Sequence, residues 1–127
     1  MMSEGGPADT VFSEQAARRL LSAELAGWRW EDGRIVRRYR TGGWRASVMV
    51  ANAIAHVAEV AFHHPEITIG HRQVTVRLFT HAVDGLTAKD FELARRIEAL
   101  VTWRPEKGVS ALEGVPEGPC FRYLEHE

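Results

Sequence analysis

Residues 44–65, WRASVMVANAIAHVAEVAFHHP, combine a long apolar segment with an abrupt stop. The apolar residues recur at spacings of three and four, which is the period of an α-helix. Pro65 restricts the backbone of His64 to extended angles and therefore ends the helix. We expect a helix from Trp44 to Phe62, followed by an exposed bend that carries His63 and His64.

The apolar surface of this helix is wider than one sheet contact requires. Its first stripe contains Trp44, Val48, Ala51, Ala55, Ala58 and Phe62, and the second contains Val50, Ile54, Val57 and Ala61. A two-layer domain covers one stripe with its sheet, so the second needs another cover. We therefore expect a homodimer or homotetramer assembled partly through the second stripe. A polar line beside the stripes argues against a transmembrane helix.

The composition indicates a single soluble domain without a strong electric field. The chain has 127 residues, with 16 basic and 17 acidic side chains, so nothing draws it to nucleic acid or to a membrane surface. Its only cysteine, Cys120, cannot form an intrachain disulfide, and the N-terminus lacks the pattern of a signal peptide. We expect a cytoplasmic protein with small-molecule or protein partners.

The segments on either side of this helix predict an α+β two-layer sandwich. They are a helix from Glu14 to Leu25 after the N-cap Ser13, strands Trp28 to Glu31 and Ile35 to Arg40 around Asp32-Gly33, strands Ile67 to His71 and Val74 to Thr80, and a last helix from Thr87 to about Val101. The order α-β-β-α-β-β-α predicts a four-stranded antiparallel sheet with three helices on one face. Residues 1–11 are expected to be flexible, 12–103 to form the domain and 104–127 to form an irregular tail.

Histidines at the ends of these elements suggest proton transfer. An imidazole titrates at about pH 6.5 and can therefore both give and take a proton near neutral pH. His63 and His64 lie at the helix exit, and the hairpin that follows could bring His81 back to the same rim. Glu59 lies four residues before His63 on the same helical face, so we expect it to hold that imidazole.

Two other readings of the polar residues stay open. Asp90 is the third residue of a helix that Thr87 caps, and an acid there completes a capping box. His56, Glu59 and His63 share a helical stripe, but two histidines separated by two turns form a poor metal site. We expect no metal site. No phosphate loop, nucleophile elbow or dinucleotide fingerprint is present.

The polar residues also form a specific pattern along the chain. It consists of Glu59, His63-His64-Pro65, Thr80-His81, Gly85-Leu86-Thr87 and Asp90. In order and spacing it resembles the pterin-4a-carbinolamine dehydratase family, also described as the dimerisation cofactor of a homeodomain transcription factor, from about Phe12 to Trp103. The resemblance implies a four-stranded sheet with three helices, and dimers or tetramers. It also implies catalytic roles for His63, His64 and His81, with the substrate bound by Glu59, Pro65, Thr80 and Asp90.

The activity that the resemblance implies is dehydration of 4a-hydroxytetrahydropterin to quinonoid dihydropterin by histidine acid–base catalysis, without a metal or an organic cofactor. The reaction belongs to tetrahydrobiopterin or tetrahydropterin recycling, so an aromatic amino-acid hydroxylase is a candidate partner. Two residues depart from the family pattern: His71 replaces an aromatic residue, and Phe62 replaces a polar or small one. These departures favour the alternative, a non-catalytic binding or assembly factor on the same fold, for example for a carboxylase.

Overall fold

The opening stretch forms helix α2, Trp44–Ala61, in a computed structural model that describes residues 10–126. The helix ends one residue sooner than expected because Phe62 takes the left-handed conformation, with φ 52° and ψ 44°. Its N–H group then bonds to the carbonyl oxygens of the last helical turn. His63 and His64 follow on the bend before Pro65, as expected.

The remaining elements follow the predicted order. They are α1 (Glu14–Glu24), β1 (Trp28–Glu31), β2 (Arg34–Arg40), β3 (Glu66–Ile69), β4 (Gln73–Leu78) and α3 (Ala88–Thr102), with 3-10 turns at His81–Val83 and Pro119–Phe121. The predicted caps are present: the Ser13 hydroxyl accepts the N–H of Ala16, and Thr87 and Asp90 form a capping box.

Strands β3 and β4 both end two residues before the predicted positions. The N–H of Gly70 bonds to the carbonyl of Gln73 and closes the turn, which leaves His71 outside β3. Thr80 pairs with Gly85 in an isolated bridge, so the chain turns away from the sheet after β4. His81 therefore belongs to a short 3-10 turn and not to a strand end.

The four strands form one antiparallel sheet in the order β1-β2-β4-β3, and the three helices cover one of its faces. This is the predicted α+β sandwich. The core between sheet and helices includes Ala17, Leu21, Ile35, Tyr39, Val50, Ile54, Ala58, Val74, Val76, Leu78, Phe91, Ala94 and Ile97. None of the helices within residues 10–126 is long and apolar enough to cross a membrane.

Only half of the predicted interface stripe of α2 is available to a partner, because Ala61 is exposed and Val57 is half-buried. Val50 and Ile54 are 3% and 0% exposed, so they belong to the core of the monomer. The reason is that α2 packs against α3 as well as against the sheet. Together, α3 and the sheet cover part of each predicted stripe. The large apolar side chains that α2 and its C-cap leave exposed are Trp44, Met49, Val60 and Phe62.

A partly buried polar cluster joins the sheet to α3. The carboxylate of Glu98 accepts hydrogen bonds from Trp28 Nε1 at 2.9 Å, Tyr39 Oη at 2.7 Å and Arg37 Nε at 3.0 Å. Burial alone would raise the pKa of Glu98, but these donors and the Arg37 charge outweigh it and lower the pKa. A Cβ on Gly27 would lie 2.8 Å from Arg37 Nε, so glycine leaves room for this guanidinium.

The tail after α3 is irregular apart from the turn Pro119–Phe121, yet its last residues return to the sheet. Leu124 forms an antiparallel bridge with Thr41, and Tyr123 and Leu124 pack against the core. The expected flexible N-terminus, residues 1–11, lies outside the described residues except for Thr10 and Val11.

Candidate active site

The centre of the site is a bond between two helix ends. His63 follows the C-terminus of α2, and Asp90 lies in the first turn of α3. His63 Nε2 is 2.7 Å from Asp90 Oδ1, and the Asp90 side chain is completely buried. Because the His63 side chain remains 15% exposed, the pair connects a buried carboxylate to a solvent-accessible ring.

Two threonines hold the Asp90 carboxylate in place. Asp90 Oδ2 accepts the hydroxyl of Thr80 at 2.7 Å and the backbone N–H of Thr87 at 2.9 Å. The two threonine hydroxyls are also 2.7 Å apart. Since the hydrogen of the Thr80 hydroxyl goes to the carboxylate, Thr87 must be the donor in that pair. The end of β4 and the start of α3 therefore determine where Asp90 points.

This network assigns the tautomer of His63. An ionised carboxylate can only accept hydrogen bonds, so Nε2 of His63 carries the proton. Within residues 10–126, Nδ1 of His63 makes no hydrogen bond. A neutral imidazole in this arrangement presents Nδ1 as a base and keeps its other nitrogen bound to the carboxylate. The geometry is that of an oriented general base.

Glu59 does not hold His63, contrary to the prediction. Its Oε1 lies 2.9 Å from Nε2 of His64, and both side chains are largely exposed. The reason is the left-handed turn at Phe62, because it takes His63 off the helical face that its spacing from Glu59 assumed. The Phe62 ring contacts the His64 ring edge to face at 5.3 Å between centroids. Pro65, half-buried, ends this corner.

His81 lies directly after Thr80 in the sequence, so it is near the Asp90 network along the chain. Its ring packs on Phe79, with 5.6 Å between centroids, and the guanidinium of Arg34 lies 3.8 Å from the centre of the Phe79 ring. In the described part of the chain no hydrogen bond or ring contact joins His81 to His63. The structure thus brings His63, Thr80 and Asp90 into one network and leaves His81 exposed beside it.

A groove of about 920 Å³ runs between α2 and α3 and reaches His63. Its lining also includes His56, Val60, Phe62, Glu92 and Leu93. The groove gives the His63 ring access to solvent. Across residues 10–126, no group of three histidine, cysteine or acidic side chains could hold a metal ion.

Sequence reasoning did not find the link between Asp90 and His63, or the part that Thr87 plays in it. The two ends of that link are separated by 27 positions, and a capping box accounts for Asp90 locally. The one available signal was that Thr80, Thr87 and Asp90 all occur near element ends close to the histidines. Thr80 and Asp90 are buried, and their direct contact with a pterin stays a prediction.

The chain is thus an α+β sandwich with a carboxylate–imidazole pair between two helix ends and two exposed histidines nearby in the sequence. A family model described as Pterin 4 alpha carbinolamine dehydratase matches residues 10–100. The chain belongs to this family.

Two curated relatives and one solved structure agree with this assignment. A curated protein of Aquifex aeolicus that carries the family's name is 37% identical over 90 residues, which cover 71% of this chain and 90% of the relative. Another, from Natronomonas pharaonis, is 45% identical over 81 residues, covering 63% and 88%. The crystal structure of a transcriptional coactivator/pterin dehydratase from Brucella melitensis aligns with a TM-score of 0.65 at 28% identity, over 72% of this chain and 99% of that one.

Proposed function

We propose that this protein dehydrates a pterin-4a-carbinolamine by acid–base catalysis. In this reaction the C4a–O bond breaks, the hydroxyl leaves as water after it gains a proton, and loss of the N5 proton forms the C4a–N5 double bond. Two groups that exchange protons near neutral pH are sufficient, and no cofactor is needed. The observation that carries the proposal is the His63–Asp90 pair at 2.7 Å, in a chain that belongs to the dehydratase family.

His63 takes the role of the base. Its Nδ1 is the available nitrogen, and Asp90 stabilises the imidazolium that forms when Nδ1 accepts the N5 proton. The acid that protonates the departing hydroxyl comes from the two exposed histidines. His64 forms a hydrogen bond with Glu59, whereas the His81 ring packs on Phe79.

A dehydration assay on the purified protein tests the proposal. An aromatic amino-acid hydroxylase generates the carbinolamine in situ. The disappearance of the carbinolamine is followed by absorbance. We expect His63→Ala to reduce turnover by about a hundredfold or more, which is the usual contribution of a positioned base. His64→Ala and His81→Ala separate the two candidate acids. His71→Ala, in the exposed hairpin turn, is the control. Protein that does not accelerate dehydration at all would contradict the proposal.

A non-catalytic binding function is favoured by a different observation. Val60 and Phe62, next to His63, are 75% and 80% exposed, which is unusual for large apolar side chains. Such residues are typical of a surface that another protein covers. If the folded protein lacks dehydratase activity, this second function becomes the better one.

Self-association is the simplest way to bury the exposed apolar side chains Val60 and Phe62. Met49 and Val60 are separated by three helical turns and therefore lie on one side of α2. Closed symmetric homo-oligomers are the commonest protein assemblies. We propose a homodimer or homotetramer that buries this side of α2, in place of the side predicted from the sequence.

A further inference from the structure

The last residues of the chain occupy an open position beside β2. Strand β1 has four residues and β2 has seven, so β1 leaves the end of β2 without a neighbour beyond Arg37. The tail fills this gap: Leu124 bridges to Thr41, and the N–H of Glu125 donates to the carbonyl of Arg40 at 2.9 Å. The tail thus continues the sheet where β1 stops.

Gly42 makes this close approach possible. Its N–H donates to the carbonyl of Tyr123 at 2.8 Å. A Cβ at position 42 would lie 2.4 Å from the carbonyl oxygen of Arg122, a distance that real side chains do not reach. Glycine is therefore required at this position for the tail to dock against β2.

The docked tail encloses a small cavity of about 110 Å³. It is lined by Arg40, Thr41, Gly42, Arg72, Arg122, Tyr123, Leu124 and Glu125. One water molecule occupies about 30 Å³ in the liquid, so the cavity has the size of a small ion and is too small for a nucleotide.

The charges around the cavity are predominantly positive. Three arginines line it, against the single carboxylate of Glu125, which pairs with Arg40 Nε at 3.1 Å. Among residues 10–126, neither Arg72 nor Arg122 forms an ion pair. A guanidinium presents donors in a planar fork that matches the oxygens of a phosphate or a carboxylate.

We propose that the docked tail completes a binding site for a small oxyanion, held by Arg72 and Arg122 and adjusted by the Arg40–Glu125 pair. The site depends on residues after position 100, where the match to the family model ends. It does not include any of the histidines of the candidate active site, so it stands whether or not the protein is a dehydratase.

The test is thermal unfolding of the full-length protein in sodium phosphate, sodium acetate and sodium chloride at equal ionic strength. Anions that bind the folded state raise Tm in proportion to the logarithm of their concentration. We expect phosphate or acetate to raise Tm by several degrees relative to chloride. Comparing the rise in phosphate with the rise in acetate shows whether the cavity prefers a phosphate or a carboxylate. No rise with either anion would overturn the proposal.

Variants locate the effect. Arg72→Ala and Arg122→Ala change exposed side chains, so both should fold and lose the anion-dependent rise, each measured against its own value in chloride. Glu125→Gln removes the one negative charge and should enlarge the rise. Arg104→Ala, in the same tail but outside the cavity, is the matched control and should behave as the wild type. An undiminished rise in both Arg72→Ala and Arg122→Ala would show that the anion binds elsewhere.

Discussion

His63 Nε2 donates a hydrogen bond of 2.7 Å to Asp90 Oδ1, and this bond connects the end of α2 to the start of α3. The Asp90 carboxylate therefore has two roles: it bonds to His63, and it completes the capping box of α3. The orientation of the proposed base therefore depends on how the third helix begins.

Asp90→Asn should reduce turnover by at least tenfold while the protein stays folded. The amide has nearly the same shape, but its NH₂ group can donate to Nε2 of His63 and favour the opposite tautomer, with Nδ1 protonated. Turnover and circular dichroism would be measured together. Asp84→Asn, at the exposed residue that ends the 3-10 turn His81–Val83, is the matched control; equal turnover in both variants would remove Asp90 from the mechanism.

Glu98→Gln should destabilise the protein at neutral pH, and the loss of stability should be smaller at acidic pH. Hydrogen bonds and charge from the donors around it hold the pKa of Glu98 below its ordinary value of 4.5. A carboxyl whose pKa is lower in the folded than in the unfolded state stabilises the fold above the unfolded pKa, and this contribution is lost as pH falls through the folded pKa.

At pH 7 the loss of charge-assisted hydrogen bonds should lower the free energy of unfolding by about 1.5–3 kcal/mol. Urea unfolding at pH 7 and at pH 3 measures the difference. Glu92→Gln, an exposed glutamate of the same helix, should change little at either pH. A Glu98→Gln difference that is as large at pH 3 as at pH 7 would contradict the ionised cluster.

Two aspartate substitutions on α2 should separate folding from association. Ile54 is completely buried, so Ile54→Asp places an unpaired charge in the core and should unfold the monomer. Val60 is 75% exposed, so Val60→Asp should fold normally and shift the oligomer towards smaller species. Gel filtration with light scattering gives the masses. A monomeric wild type would rule out the proposed association.

Phe62→Gly should increase stability. An L-residue in the left-handed region costs about 1–2 kcal/mol, whereas glycine adopts it freely. The Phe62 side chain is 80% exposed and therefore contributes little burial in the monomer. After allowing for the greater unfolded-state entropy of glycine, we expect the free energy of unfolding to rise by about 0.5–1 kcal/mol. Ala61→Gly, one residue earlier and still helical, should lower it. A stability loss in Phe62→Gly would mean that the ring is covered in the native assembly.

The sequence by itself was sufficient for the local structure. The spacing of apolar residues predicted α2, Pro65 predicted its end, Asp32-Gly33 predicted the first hairpin turn, and Thr87 with Asp90 predicted the start of α3. These signals act over three or four residues and depend on backbone sterics and nearby hydrogen bonds, which the order of residues determines directly.

Contacts between residues that are far apart in the chain could be assigned only from the packing of the helices and strands. Ile54 was expected at an interface and lies in the core, because α3 covers a side of α2 that periodicity alone cannot assign. Glu59 was expected to hold His63, yet the partner is Asp90, 27 positions further along the chain. Burial and hydrogen-bond partners depend on how helices pack on the sheet and on the direction a turn gives the next side chain, so they follow from contacts between distant residues and not from local spacing.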